Sequence, residues 1–93
     1  MILEIVSPEA QLFSAEVTSV TLPGVDGSFQ ILNNHAPVVS ILEKGEVKIN
    51  ASNFTFAKEV ASKFTKVNDQ NYVLSIASGT VEMKDNKVIV LVD

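Results

Sequence analysis

Valine and isoleucine together number 21 of the 93 residues, against 14 for leucine and alanine, and this bias narrows the fold more than any other feature. A branched Cβ restricts χ1 and crowds the turns of a helix, whereas it packs well on a pleated surface. The chain is therefore expected to be mostly β. Its branched residues fall in short runs divided by turn-forming pairs. Ile2–Val6 reads as a first strand stopped by Ser7-Pro8, because proline lacks the donor that a ladder needs. Residues 12–22 read as a long second run that ends at Pro23-Gly24 and needs a bend or bulge near Ser14-Ala15. Residues 28–32 alternate, which turns Phe29 and Ile31 inward and Ser28 and Gln30 outward.

Residues 37–42 form a further apolar stretch, and Gly45 opens residues 46–50, whose strict alternation marks a half-buried strand. Two periods then compete. Ala57, Val60, Ala61 and Phe64 fit helical spacing, yet Asn53-Phe54-Thr55-Phe56 alternates like a strand; the reading adopted is an extended entry followed by one or two helical turns. Residues 72–77 are strand-like again, and residues 80–84 pair with 87–92 across Asp85-Asn86, a two-residue loop suited to positive φ. Seven to nine such pieces at close spacing predict a β-sandwich or barrel. No repeat, low-complexity tract or linker interrupts the series, so one domain is expected.

With 93 residues there is room for one hydrophobic core and not two. Seven lysines, no arginine and 11 acidic residues give a net charge of -4, which repels a phosphate backbone and argues against a nucleic-acid partner. Without cysteine there are no disulfides, thiolate metal sites or cysteine nucleophiles. The longest apolar run, residues 88–92, falls far short of the roughly 20 residues that span a bilayer. Neither a basic leader nor a long apolar one precedes the first strand, so the chain is expected to begin at Met1.

The most unusual text is Leu22-Pro23-Gly24-Val25-Asp26-Gly27-Ser28-Phe29, followed by Leu32-Asn33-Asn34-His35-Ala36-Pro37. Gly24 and Gly27 suit positive φ and Asn33-Asn34 tolerate it, so two tight turns around the strand at 28–32 are the plain reading. A sharper reading brings both turns to one end of the sandwich as a contact surface, because rigidly held loops commonly carry binding. His35 is the sole histidine and the one side chain that titrates near neutrality when unperturbed. It lacks the company that chemistry requires: no nucleophile motif surrounds any serine, and a zinc site needs about three protein ligands. Gly24-x-x-Gly27 is too short to cradle phosphate, and Asp26 does not continue into a calcium loop. Lys58, Lys63 and Lys66 read as a basic stripe or a solvated helix face. The sequons at Asn50 and Asn53 matter only in a secreted chain.

Taken in order, Ile5-Val6-Ser7-Pro8-Glu9, Leu12-Phe13-Ser14, Val20-Thr21-Leu22-Pro23-Gly24-x-x-Gly27-x-Phe29-x-Ile31-Leu32-x-Asn34-His35-Ala36-Pro37 and Leu42-x-x-Gly45 resemble the epsilon subunit family of F-type ATP synthase. Ser78-Gly79-Thr80-Val81-Glu82-Met83 is similar to a later segment of that family, and the likeness covers the chain except about residues 51–71. The resemblance implies a flattened β-sandwich of about ten short strands over residues 1–93, with a variable insertion near 51–71. It implies a non-catalytic subunit of the central stalk, coupling c-ring rotation, driven by proton or sodium flow, to the gamma subunit and the catalytic head. The implied partners are gamma, the polar loops of the c-ring and the rest of the complex. The place is peripheral, on the cytoplasmic face of a bacterial plasma membrane, held there only through partners. Neither a cofactor nor a metal is implied.

By the same resemblance Asp26, Gly27, Ser28, Gln30, Asn33, Asn34 and His35 fall at the contact with the c-ring or its junction with gamma, and Ser7, Val38, Val39 and Ser40 near gamma. Many relatives carry a carboxylate where Ser28 stands; Asp26 is the candidate to supply that charge. Chains of this family typically continue into two C-terminal helices that inhibit ATP hydrolysis and in some cases bind ATP. This sequence stops at Val92-Asp93, so either it is a truncated chain or it resembles a short form without that hairpin and its regulation; the insertion near 51–71 favours the short form, which is the expectation. Two other readings stand beside it: a small β-sandwich or barrel adaptor that binds another protein through residues 24–37, and an enzyme that uses His35.

Overall fold

Alternation within short runs produces ten strands in the computed structural model, which describes residues 1–52 and 58–93. They are β1 (Ile2–Val6), β2 (Gln11–Glu16), β3 (Ser19–Gly24), β4 (Gly27–Leu32), β5 (Val38–Leu42), β6 (Gly45–Asn50), β7 (Phe64–Asn68), β8 (Asn71–Ile76), β9 (Gly79–Lys84) and β10 (Lys87–Val92). One helical turn, α1 (Lys58–Ala61), precedes β7. The hydrogen-bonded order β2-β1-β10-β9-β5-β3-β6-β8-β7, with β4 on the far side of β3, divides into two layers of five. Sheet I is β2-β1-β10-β9-β5 and sheet II is β4-β3-β6-β8-β7. A single pair, Gly24 with Leu42, joins them at a corner. The all-β sandwich expected from the sequence is the fold observed.

Every inner strand contributes alternate residues to one core: Leu3 and Ile5 from β1, Val81 and Met83 from β9, Val88 and Val90 from β10, Val20 and Leu22 from β3, Val47 and Ile49 from β6, Tyr72, Leu74 and Ile76 from β8. At roughly 1.5–3 kcal/mol for each large apolar side chain removed from water, this filling is what holds the two sheets together. Phe13 and Phe64 extend it, their ring centroids 6.1 Å apart and tilted by 44°, a geometry that relieves ring-face repulsion. Among the described residues, no buried side-chain nitrogen or oxygen lacks a hydrogen bond.

Several boundaries differ from the sequence reading. The run at 12–22 is two strands, because consecutive residues bond to different sheets: Val17 N–H donates to the Met1 carbonyl and Thr18 N–H to the Asn50 carbonyl, each at 2.8 Å. The bulge lies at Leu12–Phe13, both buried, where two residues of β2 face the Ile5–Val6 step, and not at Ser14-Ala15. Pro23-Gly24 belongs to β3, which turns at Val25-Asp26; the Pro23 carbonyl accepts Glu43 N–H at 2.9 Å. The expected helical turn is present at α1, but Phe64 opens β7, a strand that the competing periods concealed. Lys63 and Lys66 lie beyond α1, so they do not share a helix face. The extended entry at residues 53–56 lies outside the described residues. Asp85 and Asn86 do form the β9–β10 turn with positive φ, 52° and 60°.

Candidate functional site

β4 is an edge strand of sheet II; it carries three of the seven residues expected at the c-ring, Gly27, Ser28 and Gln30, and the other four flank it. Ser28 and Gln30 are exposed on its outward side while Ile31 is buried and Phe29 half-buried beneath it. The β3–β4 turn brings Asp26 and Gly27 to solvent, with Gly27 at φ 115°. Gly24 is buried behind that turn, so close to it that a Cβ would stand 2.8 Å from the Phe29 ring and 2.9 Å from the Gly27 carbonyl. Asn33, Asn34 and His35 follow β4 at its other end, all exposed. The two turns therefore do not converge. Six residues of β4 separate them by roughly 20 Å, so the seven residues form a strip along one edge of the sandwich. An adaptor reading that relied on a single cluster at residues 24–37 loses its geometry.

The β4–β5 turn is held from sheet I. Asn34, at φ 62°, donates its N–H to Asn86 Oδ1 at 2.7 Å, and Asn86 Nδ2 donates to Asn33 Oδ1 at 2.9 Å. The Met1 amino group also donates to Asn33 Oδ1, at 3.1 Å. His35 N–H donates to the Leu32 carbonyl at 3.1 Å, and its Nδ1 lies 2.7 Å from the Ala36 carbonyl oxygen. Among the described residues no three His, Asp or Glu side chains gather as a metal site. The hydrogen-bond partner of the His35 ring among the described residues is the Ala36 carbonyl, and not a serine or threonine hydroxyl.

Ser7, Val38, Val39 and Ser40 belong to sheet I. The Ser7 hydroxyl donates to the Ala10 carbonyl at 3.1 Å and accepts Ala10 N–H at 3.2 Å, closing the turn after β1. On β5 the alternation separates the other three. Val38 and Ser40 lie on the inward side with buried Leu42, whereas Val39 faces out and is 83% exposed. The register then extends this outer face. Ile41 stands opposite Thr80 and Thr80 opposite Leu91, which lies beside Val6; Val39 stands opposite Glu82 and Glu82 opposite Ile89, which lies beside Glu4.

Ile41 is 64% and Leu91 52% exposed, so the outer face of sheet I has apolar side chains on β5 (Val39, Ile41), β10 (Ile89, Leu91) and β1 (Ile2, Val6), divided along β9 by Thr80 and Glu82. An ion pair, Lys87 Nζ to Glu4 Oε1 at 2.8 Å, borders it. The corresponding face of sheet II presents Gln30, Thr21, Lys48 and Thr65, with half-buried Val73 as the apolar member of that row. Sequence reasoning missed Ile41, Ile89, Leu91 and Val6. Their signal was available: Lys87-Val88-Ile89-Val90-Leu91-Val92 is apolar on both faces, and an antiparallel strand with one wet face should not be.

The architecture is that of a small two-layer β-sandwich with exposed apolar side chains on both sheets, Val39, Ile41 and Leu91 on sheet I and Leu32 and Val67 on sheet II. The chain belongs to the family described as ATP synthase, Delta/Epsilon chain, beta-sandwich domain, which matches residues 1–93. It is 37% identical over 91 residues to the ATP synthase epsilon chain of Chlorobium limicola, covering 98% of this chain and 86% of that one. With the ATP synthase epsilon chain of Campylobacter curvus it shares 36% identity over 91 residues, spanning 98% of this chain but only 59% of the relative. Two solved structures share the fold. One is a chain of the Tetrahymena thermophila mitochondrial ATP synthase central stalk and c-ring, with TM-score 0.67 and 18% identity over 98% of this chain and 61% of that one. The other is from the Euglena gracilis mitochondrial ATP synthase, with TM-score 0.74 and 16% identity over 99% and 49%.

Proposed function

We propose that this chain is the central-stalk sandwich of an F1Fo ATP synthase, lodged between the gamma subunit and the polar loops of the c-ring. It passes rotation from the ring to the catalytic head and makes or breaks no bond itself. The observation that carries this reading is the apolar outer face of sheet I, where Val39 and Ile41 are 83% and 64% exposed on an edge strand. That face takes gamma, with Ser7 at one border and Val38 and Ser40 behind it. The broad side of the molecule is bounded by 31 × 25 Å, which is comparable to one partner's share of an ordinary stable interface, about 800 Å². The β4 strip, from Asp26, Gly27 and Ser28 through Gln30 to Asn33, Asn34 and His35, meets the c-ring or its junction with gamma.

Coupling by such a part is mechanical. A sandwich packed through one continuous core deforms little, so displacement at one surface reappears at the other. The whole works on the cytoplasmic face of a bacterial plasma membrane, held by its partners; proton flow or sodium flow would serve alike.

The test is binding and pumping with two sets of variants. Val39→Asp and Ile41→Asp should keep the melting temperature and lose at least about tenfold in affinity for gamma, since the burial of one such side chain is worth about 1.5–3 kcal/mol. Asp26→Lys should keep gamma binding and lower ATP-driven ion pumping in membrane vesicles. Unchanged gamma affinity in both aspartate variants would overturn the docking face, and undiminished pumping in Asp26→Lys would remove Asp26 from the c-ring contact.

A further inference from the structure

The β9–β10 turn has the wrong second residue if turning were its only task. A two-residue hairpin loop with positive φ at both positions is served best by Asn-Gly or Asp-Gly, since glycine takes such φ without strain. Here the pair is Asp85-Asn86, with Asn86 at φ 60°. Its side chain is engaged across the sandwich. Asn86 Oδ1 accepts Asn34 N–H at 2.7 Å while Asn86 Nδ2 donates to Asn33 Oδ1 at 2.9 Å, over sequence separations of 52 and 53 residues. The Asn86 backbone is fixed in turn, its carbonyl accepting Ile2 N–H at 3.1 Å.

Those two bonds tie a sheet I hairpin to the connection by which the chain crosses from sheet II to sheet I. That connection, residues 33–37, is exposed throughout and pairs with no strand. Within it the His35 N–H bond to the Leu32 carbonyl closes only the local turn, and besides Asn86 the Met1 amino group reaches it, at Asn33 Oδ1, while the Asn34 N–H bond goes to Asn86. A turn closed only on itself leaves its tip free to swing, whereas a second anchor outside the turn fixes its direction.

We propose that Asn86 is the positioning residue of the Asn33–Asn34–His35 turn, a side-chain clamp that gives this contact element the stiffness needed to pass torque. The proposal rests on the reading of that turn as part of the c-ring contact. Asn86 acts through Asn33 and Asn34.

Amide hydrogen exchange of the 93-residue chain, followed by NMR, tests the clamp directly. Asn86→Gly keeps a turn-compatible backbone and deletes both bonds; exchange at the Asn34 amide should rise about tenfold or more, with Val88 and Val90 unchanged. Asn86→Asp retains an acceptor for Asn34 N–H and tolerates positive φ but replaces the Nδ2 donor to Asn33 Oδ1 with an oxygen, so it should keep part of the Asn34 protection, a rescue that a purely conformational role of the turn would not give. Equal Asn34 exchange in wild type and Asn86→Gly, or equal loss in both variants, overturns the clamp. ATP-driven ion pumping by vesicles carrying Asn86→Gly then separates the two claims. Lower pumping with the chain still bound supports both; a loosened Asn34 with full pumping leaves the clamp standing and overturns the c-ring assignment of this turn.

Discussion

Replacing Gly24 by alanine probes how the β3–β4 turn is shaped. The added methyl would stand 2.8 Å from Phe29 Cε1, 3.0 Å from Phe29 Cδ1 and 2.9 Å from the Gly27 carbonyl oxygen. Real Cβ contacts are wider than this, so the ring must rotate away from the core and the hairpin must open. Overpacking of this kind costs about 1–3 kcal/mol. For a domain of this size each kcal/mol lowers the melting temperature by roughly 4–8 °C. The ring and the carbonyl make separable contributions. Phe29→Ala removes the ring contacts and leaves the carbonyl, so the alanine at 24 should cost less in that background than in wild type. A double-mutant cycle in urea should therefore show coupling of about 0.5 kcal/mol or more between positions 24 and 29. Strict additivity, or a Gly24→Ala loss below about 0.5 kcal/mol, would refute the argument that Phe29 and Gly24 fix the turn together.

Ile31→Ala empties a fully buried position on β4 and should destabilise the chain by about 2–5 kcal/mol in denaturant melts, enough to unfold much of a marginal domain. Glu4→Gln breaks the ion pair with Lys87, whose side chain is 49% exposed; the loss should stay below about 1 kcal/mol and vanish in 1 M salt.

The sequence revealed hairpins well and crossings poorly. Asp85-Asn86 between two alternating runs, and the alternation of Ser28, Phe29, Gln30 and Ile31, contain their own register. The break at Val17-Thr18 contains no turn residue; it exists because Met1 and Asn50, remote in sequence, supply acceptors on different sheets. β7 was hidden because Phe64 fits a helical period and Lys66 and Thr65 give no strong alternation. The strand at 28–32 and its end at Leu32 were legible in the sequence; the reading that brought its two turns together failed because a strand of that length holds them at opposite ends. The sheet I face required the cross-strand register, which aligns Ile41, Thr80 and Leu91.

The parallel pairing of β1 with β10 sets an order on synthesis. Strands β3, β4, β6, β7 and β8 all emerge before Gly79, so sheet II has every one of its members while β9 and β10 are still unmade. Sheet I is different, for its middle strand, β10, follows the other nine described strands in the chain. Until β10 is released, the β1–β2 hairpin has no neighbour to join it to β9, and Leu3 and Ile5 have only half a layer to enter. Pairing β1 with β10 closes the longest loop among the described strands, and such closure slows folding. A nascent chain therefore carries an open, apolar half-sandwich until β10 appears.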